Sequence, residues 1–348
     1  MSINHQIFMQ RAIDIALIAK GNTSPNPIVG AVLVYKNEII AEGFHAFAGG
    51  PHAEVNCLRD FDIQQFEEPN DLFLYVTLEP CTHYGKTPPC CDLILESGLT
   101  NIIVGQVDPN PKVAGNSIKK LEAAGRNVLV GVQGEECKAL NPAFNTNHNH
   151  QRPYVILKWA ETKDGFIARE NFDSKWISNE LSRKYVHKHR AGLDAILVGK
   201  NTAKYDNPSL NVRAWKGKSP IRVALDPRLD LDQTLNLFDG SIKTIIVNGQ
   251  IDKVEGLTEW VHFDFEKFNI ESLLAILFDR GICSILIEGG SHTLNQFLTA
   301  NVWDKAYVFQ SDNEFGKGIT APIIKHRSSK TLQLMNDRLN IYSNELYL

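Results

Sequence analysis

Residues 76–90, VTLEPCTHYGKTPPC, contain two cysteines separated by eight residues, each at the boundary of a predicted element. The apolar run DLFLYVTLEP (71–80) predicts a buried strand that leads directly into Cys81. The segment TPPCCDLILESGL (87–99) predicts a helix with proline at its start, so that Cys90 lies near the helix N-terminus. A strand, a loop and a helix in this order are typical of an α/β domain, and here the two thiols flank the loop.

The segments on either side continue the alternation over the first 133 residues. Their patterns predict an amphipathic helix at 4–19, a hairpin of IVGAVLVY (28–35) and EIIAEG (38–43), a helix HAEVNCLRD (52–60), and then NIIVGQV (101–107), SIKKLEAAG (117–125) and NVLVGV (127–132) as strand, helix and strand. The sequence therefore predicts a layered α/β domain.

A polar run, EECKALNPAFNTNHNHQRP (135–153), follows this alternation. We interpret it as the end of a helix that continues into a solvated linker, with metal binding by His148 and His150 as the alternative. The run places the domain boundary at about residues 148–152, which divides the chain into domains 1–149 and 150–348.

The second half repeats the same kind of pattern. Its predicted strands are PYVILKWA (153–160), DAILVG (194–199), IRVALD (221–226), TIIVNG (244–249), SILIEGG (284–290) and KAYVFQ (305–310), with helices expected at about 179–191, 270–280 and 290–299. This half is therefore predicted to be another α/β domain. Neither half contains an internal repeat, a G-x-G-x-x-G stretch or a Walker loop.

The composition indicates a folded, weakly acidic protein. Of 348 residues, 43% are hydrophobic and 22% are charged, which supports a packed core, and the length suits two domains. The net charge of −4 opposes a protein that binds nucleic-acid phosphates. The N-terminal stretch MSINHQIFMQRAIDIALIAK mixes charges into its apolar positions, unlike a signal peptide or membrane span, so we expect a cytoplasmic protein with no membrane partner.

Six cysteines are present, and three of them lie within residues 81–91. In a reducing cytosol such a cluster indicates metal ligands or catalysis rather than disulfides. His52, Cys81 and Cys90 would supply a zinc ion with three protein ligands and leave one position open for water, as in catalytic zinc sites. Because Cys91 adjoins Cys90, the spacing alone does not choose between them.

Glu54 lies two residues after His52, where it can reach the water without binding the metal and can transfer a proton to a leaving amine. H-x-E followed by P-C and a second cysteine is the signature of zinc nucleobase deaminases, in which two residues separate the cysteines. The spacer here is eight residues long. A structural zinc site, or cysteines clustered by chance, is the alternative.

Further segments extend the pattern through both halves. They are SPNPIVGAV (24–32), PHAEVNCL (51–58), VTLEPCTHYGKTPPC (76–90), DPNPKVAG (108–115), LKWAETKDGFIA (157–168), SKWIS (174–178), DAILVGKNTAKYDNPSLNVR (194–213) and IEGGSHTLNQF (287–297). In this order they resemble the bifunctional deaminase/reductase family of riboflavin biosynthesis, which has the long spacer. The resemblance implies a cytidine-deaminase-like three-layer domain followed by a dihydrofolate-reductase-like α/β domain.

The resemblance also implies the chemistry. The substrate would be a phosphorylated pyrimidine, 2,5-diamino-6-ribosylamino-4(3H)-pyrimidinone 5′-phosphate, and not a nucleic acid. The first domain, with one zinc ion per chain, would release the 2-amino group as ammonia. The second would use NADPH to reduce the ribosyl group to ribityl. A homo-oligomer is expected as well.

The resemblance assigns site residues in three groups. The deaminase pocket would contain Asn26, His45, His83, Lys86 and Asn110, although the prolines beside Asn110 suit a plain turn equally well. The reductase substrate would contact Lys158, Ser174, Arg190, Leu210, Arg213 and Glu288, with both arginines as phosphate forks. NADPH would contact Ala160, Trp176, Thr202, Asp206, Gly290 and Ser291, the last two at a helix start that suits phosphate.

Two positions depart from the family pattern. Phe172 stands where a small turn residue is more usual, so the loop is expected to be reshaped. Pro227 has no backbone N–H to offer near the cofactor, and Arg228 or Lys200 is expected to compensate by holding the 2′-phosphate of NADPH.

Two other functions compete with a two-activity enzyme. One is a deaminase of nucleosides or nucleic acid with an unrelated second half, which the acidic charge and the reductase-like segments oppose. The other is a non-catalytic protein that binds zinc and NADP(H), which the presence of Glu54 beside a three-ligand site opposes. Zinc content and ammonia release would separate these functions.

Overall fold

The structure is a computed structural model that describes residues 3–84, 88–175, 177–344 and 346. The chain divides into two compact units, Met1–His150 and Gln151–Leu348. The helices described are α1 His5–Ala16, α2 Ala53–Cys57, α3 Cys90–Glu96, α4 Asn116–Ala123, α5 Gly134–Leu140, α6 Pro142–His150, α7 Glu180–Arg190, α8 Lys200–Asp206, α9 Ile270–Phe278 and α10 Ser291–Ala300.

The strands described are β1 Gly30–Tyr35, β2 Glu38–Phe44, β3 Leu72–Leu78, β4 Asn101–Gln106, β5 Asn127–Val130, β6 Tyr154–Glu161, β7 Phe166–Ala168, β8 Ala195–Gly199, β9 Ile221–Leu225, β10 Thr244–Asn248, β11 Lys253–Glu255, β12 Thr258–His262, β13 Ser284–Ile287, β14 Lys305–Gln310, β15 Ile319–Thr320, β16 Lys330–Leu334 and β17 Asp337–Ser343. The predicted α/β character is thereby confirmed for both units.

The sheet of the first unit has the order β2-β1-β3-β4-β5. The predicted hairpin is present, and its turn residues Lys36 and Asn37 both have positive φ, at 49° and 68°. Such a turn matches the twist of paired antiparallel strands. Strands β3, β4 and β5 are parallel, so the segments that follow β3 and β4 leave the sheet at the same edge.

Helices cover both faces of this sheet. On one face α1 packs through Met9 and Ala12 against Tyr75 of β3. On the other face α2, α3 and α4 contribute Cys57, Ile94 and Leu121 to a separate apolar cluster. The result is a three-layer unit, as the sequence predicted.

Glycine allows one helix to approach the sheet closely. A Cβ atom at Gly43 of β2 would lie 2.4 Å from the carbonyl oxygen of Ala53 and 2.3 Å from the backbone nitrogen of Cys57. Only glycine therefore permits α2 to lie directly on β2. This contact sets the position of His52, which immediately precedes α2.

The predicted linker is wrong for residues 142–150, which form helix α6. The side chain of Asn145 in this helix bonds to other segments of the first unit. The amide of Asn145 accepts a bond from Gln106 at 2.8 Å and donates one to the Lys138 carbonyl at 3.0 Å. Just before the helix, Asn141 both donates to and accepts from the backbone of Ile28 at 2.8 Å. The polar composition of this segment indicated a linker, because composition does not show which distant residues its side chains bond to.

The second unit has a sheet of order β11-β12-β10-β9-β8-β13-β6-β14-β17-β16. The run from β12 to β14 is parallel, and the strands beyond it on both sides are antiparallel. The sequence patterns did not predict β11, β12, β16 and β17 at the two ends of the sheet, because these strands are short or carry many polar residues. Strands β7 and β15 form a separate pair.

A large apolar cluster of the second unit packs against one face of the parallel strands. It includes the fully buried side chains of Trp303 and Phe297 and the leucines of α9. Because parallel strands are covered on both faces, their carboxyl ends remain the accessible edge for a ligand. Among the described residues, no helix combines the length and the apolar character needed to cross a lipid bilayer.

Candidate active sites

Three side chains of the first unit converge where β3 leads into α3. His52 Nδ1 lies 3.3 Å from Cys90 Sγ and 3.6 Å from Cys81 Sγ. All three possible ligand atoms lie within 4.8 Å of one another. One imidazole and two thiols at this spacing have the donor set and the separation of a zinc site. The residues present therefore fit a zinc ion.

Local structure explains why these three meet. Cys81 follows β3, Cys90 is the first residue of α3, and His52 is the residue before α2. The backbone N–H of Cys90 donates to Cys81 Sγ at 3.3 Å, and the N–H of Cys91 donates to the Cys81 carbonyl at 3.1 Å. These bonds connect the two cysteine-bearing segments directly.

Cys91 faces away from this cluster. It is fully buried in the apolar core, and its thiol donates to the carbonyl of Ser117 at 3.9 Å. The geometry therefore groups Cys90, and not Cys91, with His52 and Cys81. Adjacent residues at a helix start point in different directions, which spacing in a sequence does not show.

The protonation states of the cluster favour the binding of a cation. A hydrogen bond from Cys90 lowers the pKa of the Cys81 thiol to about 4, although burial opposes this shift. The same bond, together with burial, raises the pKa of Cys90. The hydrogen bond to Cys81 raises the pKa of His52. One thiolate is thus held beside an imidazole, and a bound cation would favour deprotonation of the second thiol.

Glu54 is the second residue of α2 and is 3% exposed. Burial raises the pKa of its carboxyl group, which therefore accepts a proton more readily than an exposed glutamate. The ligand group formed by the described residues contains His52, Cys81 and Cys90 but no carboxylate. Glu54 thus lies beside the cluster without belonging to it, as expected for a proton-transfer residue.

Two other predicted residues lie next to His52. The ring of His45 is 5.5 Å from that of His52, its Nδ1 is 3.0 Å from the carbonyl oxygen of Pro51, and its Nε2 is 3.3 Å from Asn26 Nδ2. With Nδ1 protonated, Nε2 accepts from Asn26, and this bond orients the Asn26 amide. The structure thus brings Asn26 and His45 to the metal cluster.

The remaining residues of this group are placed differently. His83 is exposed beyond the cluster, and Lys86 lies outside the described residues. The side chain of Asn110 accepts the backbone N–H of Lys112 at 3.1 Å, which is the turn role that its proline neighbours had left open. Asp108 forms the preceding turn with the N–H of Asn110 at 2.8 Å.

The second unit contains a cavity of about 920 Å³. Eleven predicted reductase residues line it: Lys158, Ala160, Ser174, Arg190, Thr202, Asp206, Leu210, Arg213, Glu288, Gly290 and Ser291. Trp176, the remaining member of the set, lies outside the described residues. The volume is at the upper end of the range for ligand pockets, so the cavity has room for both a sugar phosphate and a cofactor.

A buried charge network lies in this cavity. Arg190 donates two bonds to Glu288, from Nε at 2.8 Å and from Nη2 at 2.7 Å, and Lys158 Nζ lies 3.8 Å from the same carboxylate. Although burial opposes the shift, Arg190 and Lys158 lower the pKa of Glu288 to about 2. Burial lowers the pKa of Lys158, and the neighbouring Glu288 limits that shift.

This network corrects the prediction that Arg190 is a phosphate fork. Both of its bonds to Glu288 use the fork, and Nη1 donates to the carbonyl of Asn211 at 3.2 Å. A buried arginine needs a paired carboxylate because an unpaired charge is costly there. Arg213 is exposed at the cavity, and its guanidinium donates only through Nη1 to Asn211 Oδ1 at 2.9 Å among the bonds described, so the rest of the fork faces the cavity without a described partner.

Two further contacts shape the wall of the cavity. Ser174 donates to Asp206 at 3.1 Å, and Phe172 stacks on Tyr205 with ring centroids 4.5 Å apart. Phe172 has a positive φ of 68°, a backbone conformation that glycine adopts more readily, and its ring packs on Tyr205 of α8. Leu210 also has a positive φ, of 47°, and is buried.

At another part of the cavity wall, the two residues predicted to hold the 2′-phosphate of NADPH both form ion pairs with one carboxylate. Lys200 Nζ is 2.6 Å and Arg228 Nε is 3.3 Å from Asp230 Oδ2. Pro227 lies beside Arg228 and lines the same cavity. The two cations are thus held together where an additional anionic group could join them.

Sequence reasoning missed two residues at these sites. His187 of α7 is buried and lines the cavity, and its Nδ1 is 3.5 Å from the N–H of Arg213. Burial and the nearby Arg190 lower its pKa to about 4, which keeps it neutral. Glu79 is buried and accepts four hydrogen bonds beside Cys81. Glu79 could have been noticed as a charged residue directly after an apolar strand, whereas His187 lies in a polar helix and gave no signal.

Comparisons with known proteins agree with these two sites. Residues 2–106 match the cytidine and deoxycytidylate deaminase zinc-binding region, and residues 153–346 match the RibD C-terminal domain. Riboflavin biosynthesis protein RibD of Aquifex aeolicus is 40% identical over 90% of this chain and 88% of the relative. That of Bacillus amyloliquefaciens is 37% identical over 95% of this chain and 90% of the relative.

Solved structures show the same relationship. A diaminohydroxyphosphoribosylaminopyrimidine deaminase/5-amino-6-(5-phosphoribosylamino)uracil reductase from Thermotoga maritima is similar with a TM-score of 0.88. It is 38% identical, and the match covers 97% of this chain and 98% of that one. RibD of Acinetobacter baumannii is similar with a TM-score of 0.85 at 31% identity, over 97% of each chain.

The fold and the two sites define a class of protein, the zinc-dependent deaminases joined to a reductase in one chain. Within that class, the chain belongs to the RibD family of riboflavin biosynthesis proteins. It is a bifunctional enzyme with a deaminase domain and a reductase domain, whose cofactors Zn²⁺ and NADPH fit the cluster and the cavity.

Proposed function

We propose that residues 1–149 deaminate 2,5-diamino-6-ribosylamino-4(3H)-pyrimidinone 5′-phosphate and that residues 150–348 reduce the product to 5-amino-6-(5-phospho-D-ribitylamino)uracil. The observation that carries this proposal is the pairing of two sites in one chain. One is the group His52, Cys81 and Cys90 beside Glu54, and the other is a cavity lined by the reductase residues.

In the first site, His52, Cys81 and Cys90 hold zinc, which when bound activates water for attack on the ring carbon that carries the 2-amino group. Glu54 accepts a proton from the attacking water and transfers it to the amino group, which leaves as ammonia. Burial of Glu54 supports this role because a raised pKa allows it to hold the proton between the two transfers.

Substrate binding in the deaminase uses the residues around this centre. Asn26, oriented by His45, presents its amide to the edge of the pyrimidine ring. His83 and Lys86 offer donors to the ribose and the phosphate, and Asn110 shapes the pocket through its turn. Because Cys91 faces the core, it takes no part in the reaction.

In the second site, NADPH when bound supplies the hydride for C1′ of the opened ribosyl group. Arg213 binds the substrate phosphate as a fork, since its guanidinium is exposed at the cavity. Lys158 donates hydrogen bonds to sugar oxygens, and Glu288 holds both Lys158 and Arg190 in place. Ser174 and the backbone at Leu210 complete the substrate contacts.

The cofactor is held along the wall of the same cavity. Five of its proposed contacts line the cavity, namely Ala160, Thr202, Asp206, Gly290 and Ser291. The family resemblance adds Trp176 as a sixth proposed contact. Gly290 immediately precedes α10, where backbone N–H groups suit the pyrophosphate. Lys200 and Arg228 hold the 2′-phosphate, which supports a preference for NADPH over NADH.

The proposal also includes a homo-oligomer and a cytoplasmic location. Light scattering coupled to size-exclusion chromatography tests the first, and fractionation of cells that express the tagged chain tests the second.

A coupled assay tests the proposed reactions. The full chain is incubated with the diaminopyrimidine phosphate, with and without NADPH, and the products are resolved by mass. Without NADPH we expect only the deaminated ribosylaminouracil phosphate and ammonia, and with NADPH the ribityl product. The variant Glu54→Gln should retain zinc and lose deaminase turnover by about 10²–10⁴-fold, the usual effect of a general acid/base.

Reductase activity of Glu54→Gln on the deaminated substrate is the control for folding and should equal that of the wild type. Deamination by Glu54→Gln at the wild-type rate would show that Glu54 does not transfer the proton. No ammonia from the wild-type chain would overturn the deaminase assignment itself.

A further inference from the structure

Glu79, the residue after β3, is a buried carboxylate with no part in the proposed reactions. It is 5% exposed. Its Oε2 accepts the backbone N–H groups of Asp108 at 3.1 Å and Gly115 at 2.9 Å, and its Oε1 accepts the N–H and hydroxyl of Ser117 at 3.0 and 2.9 Å. A carboxylate offers about four acceptor positions, so the capacity of Glu79 is fully used.

The donors lie at both ends of segment 108–117, so one side chain closes this loop. Inside it, Asp108 Oδ1 accepts the N–H of Asn110 at 2.8 Å, and the carbonyl of Asn110 accepts the N–H groups of the residues three and four positions later. These turns give the loop its own internal structure. Glu79 then attaches the loop to the chain two residues before Cys81.

The loop also lies close to other parts of the deaminase site. The loop carries Asn110, a residue of the proposed substrate pocket, in a turn with the N–H of Lys112. From α3, the thiol of Cys91 donates to the carbonyl of Ser117 at 3.9 Å. The loop is therefore attached to both segments that carry thiol ligands.

We infer that Glu79 is a positioning residue of the deaminase. Its carboxylate fixes the position of loop residues 108–110 relative to the metal-ligand residue Cys81, and it thereby shapes the substrate pocket. The inference rests on the proposed deaminase function. A simple helix cap is the competing explanation, since Gly115 and Ser117 begin α4. The bond to Asp108 distinguishes the two, because capping α4 does not require it.

The test uses the full chain with the substitution Glu79→Gln. Glutamine has the same size but only one acceptor oxygen, so its amide NH₂ must face at least one backbone N–H that Glu79 now accepts. We expect KM for the diaminopyrimidine phosphate to rise about tenfold or more, with kcat within about threefold of the wild type. Zinc content and NADPH oxidation with the deaminated substrate should not change.

Two matched variants accompany it. Glu96→Gln removes an exposed carboxylate from α3 and should leave KM unchanged. Ser117→Ala removes one hydroxyl donor at the helix end while the three backbone donors remain, so its KM should also stay near the wild-type value.

A lower melting temperature for Glu79→Gln with a wild-type KM would show that Glu79 is only a helix cap. Loss of zinc would show that it serves the metal site instead of the loop, and would equally overturn the inference. If Glu79→Gln does not fold, Glu79→Asp keeps the charge on a shorter side chain and should still raise KM, and an unchanged KM would refute the inference. Absence of deaminase turnover in the wild type would instead refute the proposed function.

Discussion

At the scale of single residues, the direction in which a side chain points matters more than its residue type. Cys90 and Cys91 are chemically equal and adjacent, yet one thiol faces His52 at 3.3 Å and the other faces the carbonyl of Ser117 at 3.9 Å. Arg190 and Arg213 differ in the same way, since one is paired with a buried carboxylate and the other is exposed. The cysteine pair therefore provides a variant and its own matched control.

We predict that Cys90→Ser loses the zinc ion and Cys91→Ser retains it. Serine is a poor zinc ligand at neutral pH because its hydroxyl does not ionise, whereas the Cys91 thiol faces the carbonyl of Ser117 and is not part of the ligand group formed by the described residues. Zinc is measured by atomic absorption on purified full-length chains. Equal zinc content in the wild type and Cys90→Ser would show that Cys90 is not a ligand.

We predict that Arg213→Ala raises KM for the sugar phosphate by a factor that corresponds to about 1.5–3 kcal/mol, with a smaller decrease in kcat. The reason is that its guanidinium is exposed at the cavity and would make a charged hydrogen bond to the phosphate. Steady-state kinetics with the deaminated substrate measure both constants. Arg228→Ala is the control and should raise KM for NADPH instead. An unchanged sugar-phosphate KM in Arg213→Ala would refute this map of the cavity.

At the scale of elements, hydrogen bonds between residues far apart in the sequence fix the positions of helices. Asn141, between α5 and α6, forms two hydrogen bonds of 2.8 Å with the backbone of Ile28, which is 113 positions away in the sequence. These bonds satisfy a backbone N–H and a carbonyl just before β1. They attach the segment between α5 and α6 to the residues that lead into β1.

We predict that Asn141→Ala destabilises the first unit by about 2 kcal/mol or more, because it leaves two buried backbone groups of Ile28 without partners. All five tryptophans lie in the second unit, so calorimetry is a better measurement than tryptophan fluorescence. Asn22→Ala, at an exposed position, is the control and should change stability by less than about 0.5 kcal/mol. An Asn141→Ala chain as stable as the control would contradict the argument.

At the scale of the whole molecule, each activity has its own unit. The zinc-ligand group belongs entirely to residues 1–150, and every residue that lines the large cavity belongs to residues 151–348. The two chemistries also have different requirements, since only the deaminase needs the metal. The chain can therefore lose one activity and keep the other.

We predict that removal of zinc by a chelator abolishes ammonia release and leaves NADPH oxidation with the deaminated substrate unchanged. The physical reason is that the described cavity side chains include no member of the ligand group. Both rates are measured on the same sample, and zinc is then added back. A parallel loss of both activities would contradict the assignment of one site to each unit.

Much of this protein follows from local sequence. Continuous runs of apolar residues predicted the strands β1, β3, β4, β6, β8 and β13. A strand that is buried on both faces needs such a run, whichever elements cover it. Residue types and spacing also predicted a zinc group of His52, Cys81 and one of the cysteines at 90 and 91, whereas the residues that line the second cavity were implied only by the family resemblance.

Tertiary structure decided what depends on direction or on distant partners. It selected Cys90 over Cys91, paired Arg190 with Glu288, and turned a polar segment into helix α6. It also revealed Glu79 as the attachment point of loop 108–117. In each case the deciding contact joins residues far apart in the chain, and a hydrogen bond or ion pair of that kind leaves no periodic signal in a sequence.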